Sequence, residues 1–252
     1  MAWRDDQSGE VELTQEIDWQ KWRRQGTEIL GESIEFAARI VGTTEERIER
    51  SRMYGVAPLA QSIECARAIR RCIAKELPSP AFALARAQYE GALRGHIIVH
   101  EIELEDLSAV LGHIGLWVQD KQSLVGLPKI VIRRTEWKVV GLETKHDWRP
   151  FQHDIANYFA GWVGSNSRHM QLLHDLAHSG MTHALQMLDE HGNIEPRYSD
   201  QNQTQLLELA DRAVMFSVMT WPGAQQKFRR EIELRMARTT QLRSAWAGTT
   251  ST

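Results

Sequence analysis

Residues 78–103 read PSPAFALARAQYEGALRGHIIVHEIE, and this stretch decides the fold. Ser79 can cap a helix, and Pro80 suits its first position, where the missing N–H is no loss. A helix is therefore predicted from Ala81 to about Glu103. Phe82, Leu84, Tyr89, Leu93, Ile97, Ile98 and Val99 point in most directions around it, so it is expected to be buried on nearly all sides and central to the fold. Ala87, Gly91 and Gly95 fall four apart, a strip of small residues that lets another helix approach closely. Glycine costs about 1 kcal/mol in a helix, so two of them imply that the close contact is worth having. Arg86, Glu90 and Arg94 follow at i, i+4 and i+8, with Glu101 near the same line. Charges on so apolar a helix must pair or face a polar cavity, and Arg86 with Glu90 is the obvious pair.

Outward from this helix the chain keeps its helical character. Apolar spacing at Ile29, Leu30, Ile34, Ala37 and Ala38 predicts a helix over Ile17–Val41. Thr43-Thr44-Glu45-Glu46 has capping-box form and should start a short one. Others are expected over Pro58–Leu77, Asp154–Trp162, from near Ser167, from about Asp200 to Trp221-Pro222-Gly223, and thence to about Ala245. Between residues 121 and 152 the pattern changes: KIVIRR and WKVVGLE are β-like runs bordered by Gly126, Pro128 and Gly141, which suggests a small hairpin or irregular excursion. The expected fold class is all-α, a single helical domain over 1–252 built as a bundle of about six to eight helices. Residues 1–14 read as a loose arm, 121–152 as an insertion and 246–252 as a flexible tail.

Composition agrees with a folded chain. Of 252 residues, 42% are hydrophobic and 25% charged, which argues against disorder. No stretch approaches the roughly 20 apolar residues of a membrane span, and the acidic start MAWRDDQSGEVE lacks the apolar core of a secretory signal. Cys65 and Cys72, seven apart, would be separated by about 10 Å along a helix, too far for a disulfide within it. Reduced thiols fit a cytoplasmic location. The net charge of −3 exerts no general pull toward nucleic acid. It is unevenly spread: residues 1–36 hold nine acids against four bases, and residues 224–245 hold six bases against two acids. That basic stretch suits either a phosphate backbone or an acidic helix face in the same protein.

The chemically suggestive segment is SRHMQLLHDLAHSGMTHALQ, residues 167–186. His169, His174, His178, His183 and His191 lie in or just beyond it. His174 and His178 are one helical turn apart, at the border of an apolar face formed by Met170, Leu173, Ala177, Met181, Ala184 and Leu188. His183 points the other way. Ser165 or Ser167 is the natural cap, which places Arg168 in the first turn, where unpaired N–H groups and the helix dipole favour an anion. Arg168 and His174 thus combine an anion binder with a group that titrates near neutrality; a histidine hydrogen-bonded to backbone and a solvated arginine would have the same spacing. The i, i+4 pair also suits zinc, but Asp175 stands where the helical protease motif has glutamate, and no third ligand is evident, so no metal or other cofactor is assigned.

The Arg-x-x-x-Glu of ARAQYEGALRG, followed much later by LHDLAHSG, resembles bacterial helical proteins of the HEPN superfamily. RHMQLLH, Arg168 to His174, has the form of the HEPN ribonuclease motif, an Arg and a His separated by four to six residues. The resemblance implies an all-helical fold, a metal-independent endoribonuclease of toxin or phage-defence type, and a homodimer that joins two motifs in one cleft. On that reading Arg168, His174 and His178 are catalytic, and Arg86, Glu90 and Arg94 bind or orient the RNA. The competing expectation is a non-catalytic helical dimer, acting as a regulator, an antitoxin-like partner or a scaffold for another protein.

Overall fold

Asp18 opens the first helix: its carboxylate accepts a hydrogen bond from the Lys21 N–H at 2.9 Å, which satisfies one of the donors left unpaired at a helix start. In the computed structural model, which describes residues 18–41, 52–111, 128–141, 147–165 and 198–247, this helix α1 spans Trp19–Val41. A 3₁₀ turn, Arg52–Gly55, leads into α2, Val56–Ala74. Then come the central helix α3, Pro78–His96, a short α4 over residues 104–111, α5 over Asp154–Ser165, α6 over Asp200–Thr220 and α7 over Ala224–Ala247. The expected helices for which residues are described are therefore present. The capping-box helix at 43–46 and the histidine-rich segment lie outside the described residues.

Local chemistry sets the boundaries. Glu76 takes a left-handed conformation (φ 57°), and the N–H groups of Leu77 and Glu76 bond the carbonyls of Cys72 (2.8 Å) and Ile73 (3.1 Å). This turn closes the last carbonyls of α2 and stops it short of Leu77. α3 starts at Pro78, three residues before the position expected from Ala81, with both Pro78 and Pro80 in its first turn. Ser199 caps α6, its hydroxyl accepting from the Asn202 N–H.

The β-like segment is a small antiparallel sheet of order β1-β2-β3. β1 (Lys129–Arg133) and β2 (Glu136–Val140) form a hairpin with Ile130 opposite Val139, and β3 (Arg149–Pro150) pairs along β2 with Arg149 opposite Trp137. The whole is an all-α bundle with a three-stranded excursion, as expected.

Two cores share α3. Its first half packs with α1, α2 and α6 around Leu30, Phe36, Leu59, Ile69 and Leu207. Its second half packs against the sheet, α4 and α5, around Leu93, Ile97, Trp137, Phe151, Phe159 and Phe216. Gly91 and Gly95 explain how close α2 comes. A Cβ on Gly91 would lie 3.0 Å from the Pro58 carbonyl oxygen, and one on Gly95 would lie 2.5 Å from a Leu59 methyl. Ala87, the third member of the small-residue strip, is exposed.

The basic α7 meets α1 through ion pairs. Arg238 and Arg235 both reach Glu32, and Arg39 of α1 pairs with Glu231. Two arginines of the basic stretch, Arg235 and Arg238, are thus paired within the chain. Among the described residues, no helix is long and apolar enough to cross a membrane.

Candidate functional site

Arg168, His174 and His178 lie outside the described residues, so the structure places only the other half of the expected site. Glu90 bridges the two arginines one turn to either side: Arg86 Nε donates to Glu90 Oε1 at 2.7 Å and Arg94 Nη2 to Oε2 at 2.6 Å. Arg86 and Glu90 are partly buried, while the Arg94 side chain is 47% exposed. The predicted pair is present, and it is a local ladder along one helix. Glu101 does not continue that line.

Glu101 belongs instead to a cluster that the sequence did not point to. After His96 the helix widens into a π turn, Ile97–Glu101, closed by the Ile102 N–H to the Ile97 carbonyl at 2.9 Å. In an α-helix, residues five apart point about 140° away from each other. The extra residue in a π turn swings Glu101 back to the side of His96. His96 Nε2 and Glu101 Oε1 lie 3.3 Å apart, both side chains buried. On the other side of the ring, His96 Nδ1 is 3.1 Å from the Thr220 hydroxyl at the end of α6.

The sheet delivers the remaining members. β3 runs into Phe151, whose N–H bonds the Thr135 carbonyl, and the next two residues turn toward α5. Their backbone N–H groups donate to Glu101: Gln152 at 2.8 Å to Oε2, and His153 at 3.1 Å to Oε1. The exposed ring of His153 then stands 5.3 Å from that of His96 and 5.3 Å from that of His100, centroid to centroid, and His96 and His100 are 5.0 Å apart. His100 Nε2 is 3.2 Å from the Thr220 carbonyl oxygen. A carbonyl only accepts, so the proton sits on Nε2 and the Nδ1 lone pair is left over.

Burial keeps the His96 and His100 rings neutral. Burial pulls His96 below its ordinary value, against the opposing pull of Glu101. His100 is pulled down to about 4, by burial of its inner edge first and by its neighbours His96, His153 and Arg52 after that. Burial alone would push the Glu101 carboxyl up, but hydrogen bonds from His96, Gln152 and His153 outweigh it and hold the group below its usual range. The Glu101 carboxylate thus lies beside the neutral ring of His96, and ligand atoms of His96, Glu101 and His153 all lie within 4.8 Å of one another.

HIIVHE was in view in the sequence, but its helical spacing separates His96 from Glu101, and His153 is more than fifty residues away in a segment of β-like composition. The one local signal was HE at the end of a helix too apolar to carry bare charge. The molecule is a mostly helical protein whose central helix ends in a histidine–carboxylate cluster built on the buried His96 and Glu101. No described protein family, curated protein or solved structure matches the chain.

Proposed function

We propose that the chain is a HEPN-like, metal-independent endoribonuclease of toxin or phage-defence type, working as a homodimer. The observation that carries this reading is RHMQLLH, an arginine and a histidine at HEPN spacing, in the segment that follows α5. The all-helical bundle and the Arg86–Glu90–Arg94 ladder on its central helix support it, since the resemblance implies both an all-α fold and an Arg-x-x-x-Glu on an apolar helix. In the reaction, His174 or His178 takes the proton of a ribose 2′-hydroxyl as it attacks the neighbouring phosphorus. The 5′-oxygen leaves and is protonated, and Arg168 stabilises the charge on the pentacovalent phosphate.

The alternative, a non-catalytic dimer, draws less on the surface than on the sequence. Gly91 and Gly95 face α2 of the same chain, and the basic α7 is partnered by α1. The discriminating experiment is cleavage of structured and single-stranded RNA by purified protein in the presence of chelator. The ribonuclease reading expects cleavage that falls by at least about 100-fold in a His174→Ala, His178→Ala double variant, the scale on which general acid–base groups contribute. Full activity in that variant, or no cleavage by the parent, would overturn it.

A further inference from the structure

We propose that His96, Glu101 and His153 form a binding site for a divalent transition-metal ion of the zinc class. The site uses none of Arg168, His174 and His178 and does not rest on the ribonuclease reading.

Geometry argues first. A tetrahedral zinc ion with bonds of about 2.0–2.2 Å sets its ligand atoms roughly 3.3–3.5 Å apart. His96 Nε2 and Glu101 Oε1 are already 3.3 Å apart. That separation is long for a charge-assisted hydrogen bond, which favours about 2.7–2.9 Å, but it matches the edge of such a tetrahedron. The third ligand atom, on His153, lies within 4.8 Å of both. Its ring is exposed at the entrance to α5, so a rotamer adjustment of about 1 Å completes the set.

The donor chemistry fits the same ion. Two imidazoles and one carboxylate are the ligand types zinc takes where a coordination position stays open, and the His100 ring lies 5.3 Å from that of His153, centroid to centroid. His96 needs no deprotonation from a cationic form, since burial already favours its neutral ring. Binding requires only that His96 move its proton from Nε2 to Nδ1. Thr220 makes that shift possible: its hydroxyl donates to Nδ1 in one tautomer and accepts from it in the other, at the same 3.1 Å. An oxygen partner on the far nitrogen is also what orients a metal-bound histidine. Glu101 is oriented from behind by the Gln152 and His153 N–H groups.

A buried His96–Glu101 pair that merely clamps the loop to α3 would account for those two side chains and for the backbone bonds. It gives no role to the His153 ring. The π turn adds to this, because such turns are rare and concentrate at functional sites. Here it is what brings Glu101 to His96.

The test is a titration of the chelator-stripped full chain with Co²⁺, read by the visible absorption of the tetrahedral ion, and with Zn²⁺ in competition with a chromophoric chelator. One equivalent should bind. His153→Ala changes an exposed side chain, so the fold should persist by circular dichroism while affinity falls by more than about 100-fold. Thr220→Val should weaken binding about 10- to 100-fold, as removal of an outer hydrogen-bond partner does. The His174→Ala, His178→Ala variant should bind as the parent does. Three results would overturn the proposal: no saturable binding by the parent, equal binding by His153→Ala, or loss of binding in the His174/His178 double variant, which would assign the ion to the histidine-rich segment. Because the RNA assay is run with chelator and this one without RNA, either reading can fail alone.

Discussion

Glu90 and Glu101 sit on the same helix, eleven residues apart, and they illustrate two different uses of a carboxylate. Glu90 bridges two arginines of its own helix at the protein's edge, and each contact is local and half solvated. Glu101 is buried and holds partners from a distant segment: the His96 ring from its own helix, and two backbone N–H groups from the start of α5. The first arrangement is a decoration of a helix that would form without it. The second joins the end of α3 to the sheet and to α5, so its loss should reach well beyond one side chain.

That difference ranks the expected effects of substitution. Glu101→Ala removes the acceptor for two partly buried N–H groups and for the buried His96 ring. In chelator, its unfolding free energy should drop by about 3–5 kcal/mol in a urea titration; a loss under 1 kcal/mol would mean the cluster does not hold the second core together. Gly95→Ala forces a methyl to within 2.5 Å of Leu59 and 2.9 Å of the Gly55 carbonyl oxygen. It should cost about 1–3 kcal/mol by the same measurement, whereas the exposed Ala87 should accept Ser with little change.

A third acid sharpens the contrast. Asp211 of α6 is buried and accepts a hydrogen bond from Thr239 at 2.9 Å, but burial outweighs its hydrogen bonds and raises its pKa. A carboxyl raised in the folded state binds its proton there when the unfolded chain has lost it. Its contribution to stability therefore declines as pH rises from about 4, its unfolded value, through its raised folded value. Asp211→Asn should gain stability relative to the parent over that range, read as a melting-temperature difference that widens with pH; a constant difference would contradict the assignment. The smallest effect belongs to Glu90→Gln. The half-exposed Arg94 pair is largely screened, and a glutamine amide oxygen still accepts from the partly buried Arg86, so the variant should lose no more than about 1 kcal/mol, less in high salt.

The same contrast explains what could be read from the sequence. Arg86–Glu90–Arg94 is legible because its geometry is set by i, i+4 spacing alone. The helices are legible for the same reason, and the hairpin is legible from its runs of branched residues between Pro128 and Gly141. The histidine–carboxylate cluster is not legible: it depends on a π turn that α-helical periodicity does not anticipate, and on β3 carrying His153 back to α3. Glu101 was assigned to the Arg86 line because eleven residues of regular α-helix return almost to the starting direction. One extra residue in a turn was enough to send it elsewhere.

The claim that the end of α3 is a ligand centre, rather than a structural clamp alone, is tested most directly by X-ray absorption at the zinc edge on protein carrying one equivalent of the ion. The account predicts imidazole nitrogen and carboxylate oxygen neighbours at about 2.0–2.2 Å, with the imidazole signal reduced in His153→Ala. A zinc environment unchanged by that substitution, or one built from water oxygens alone, would contradict it.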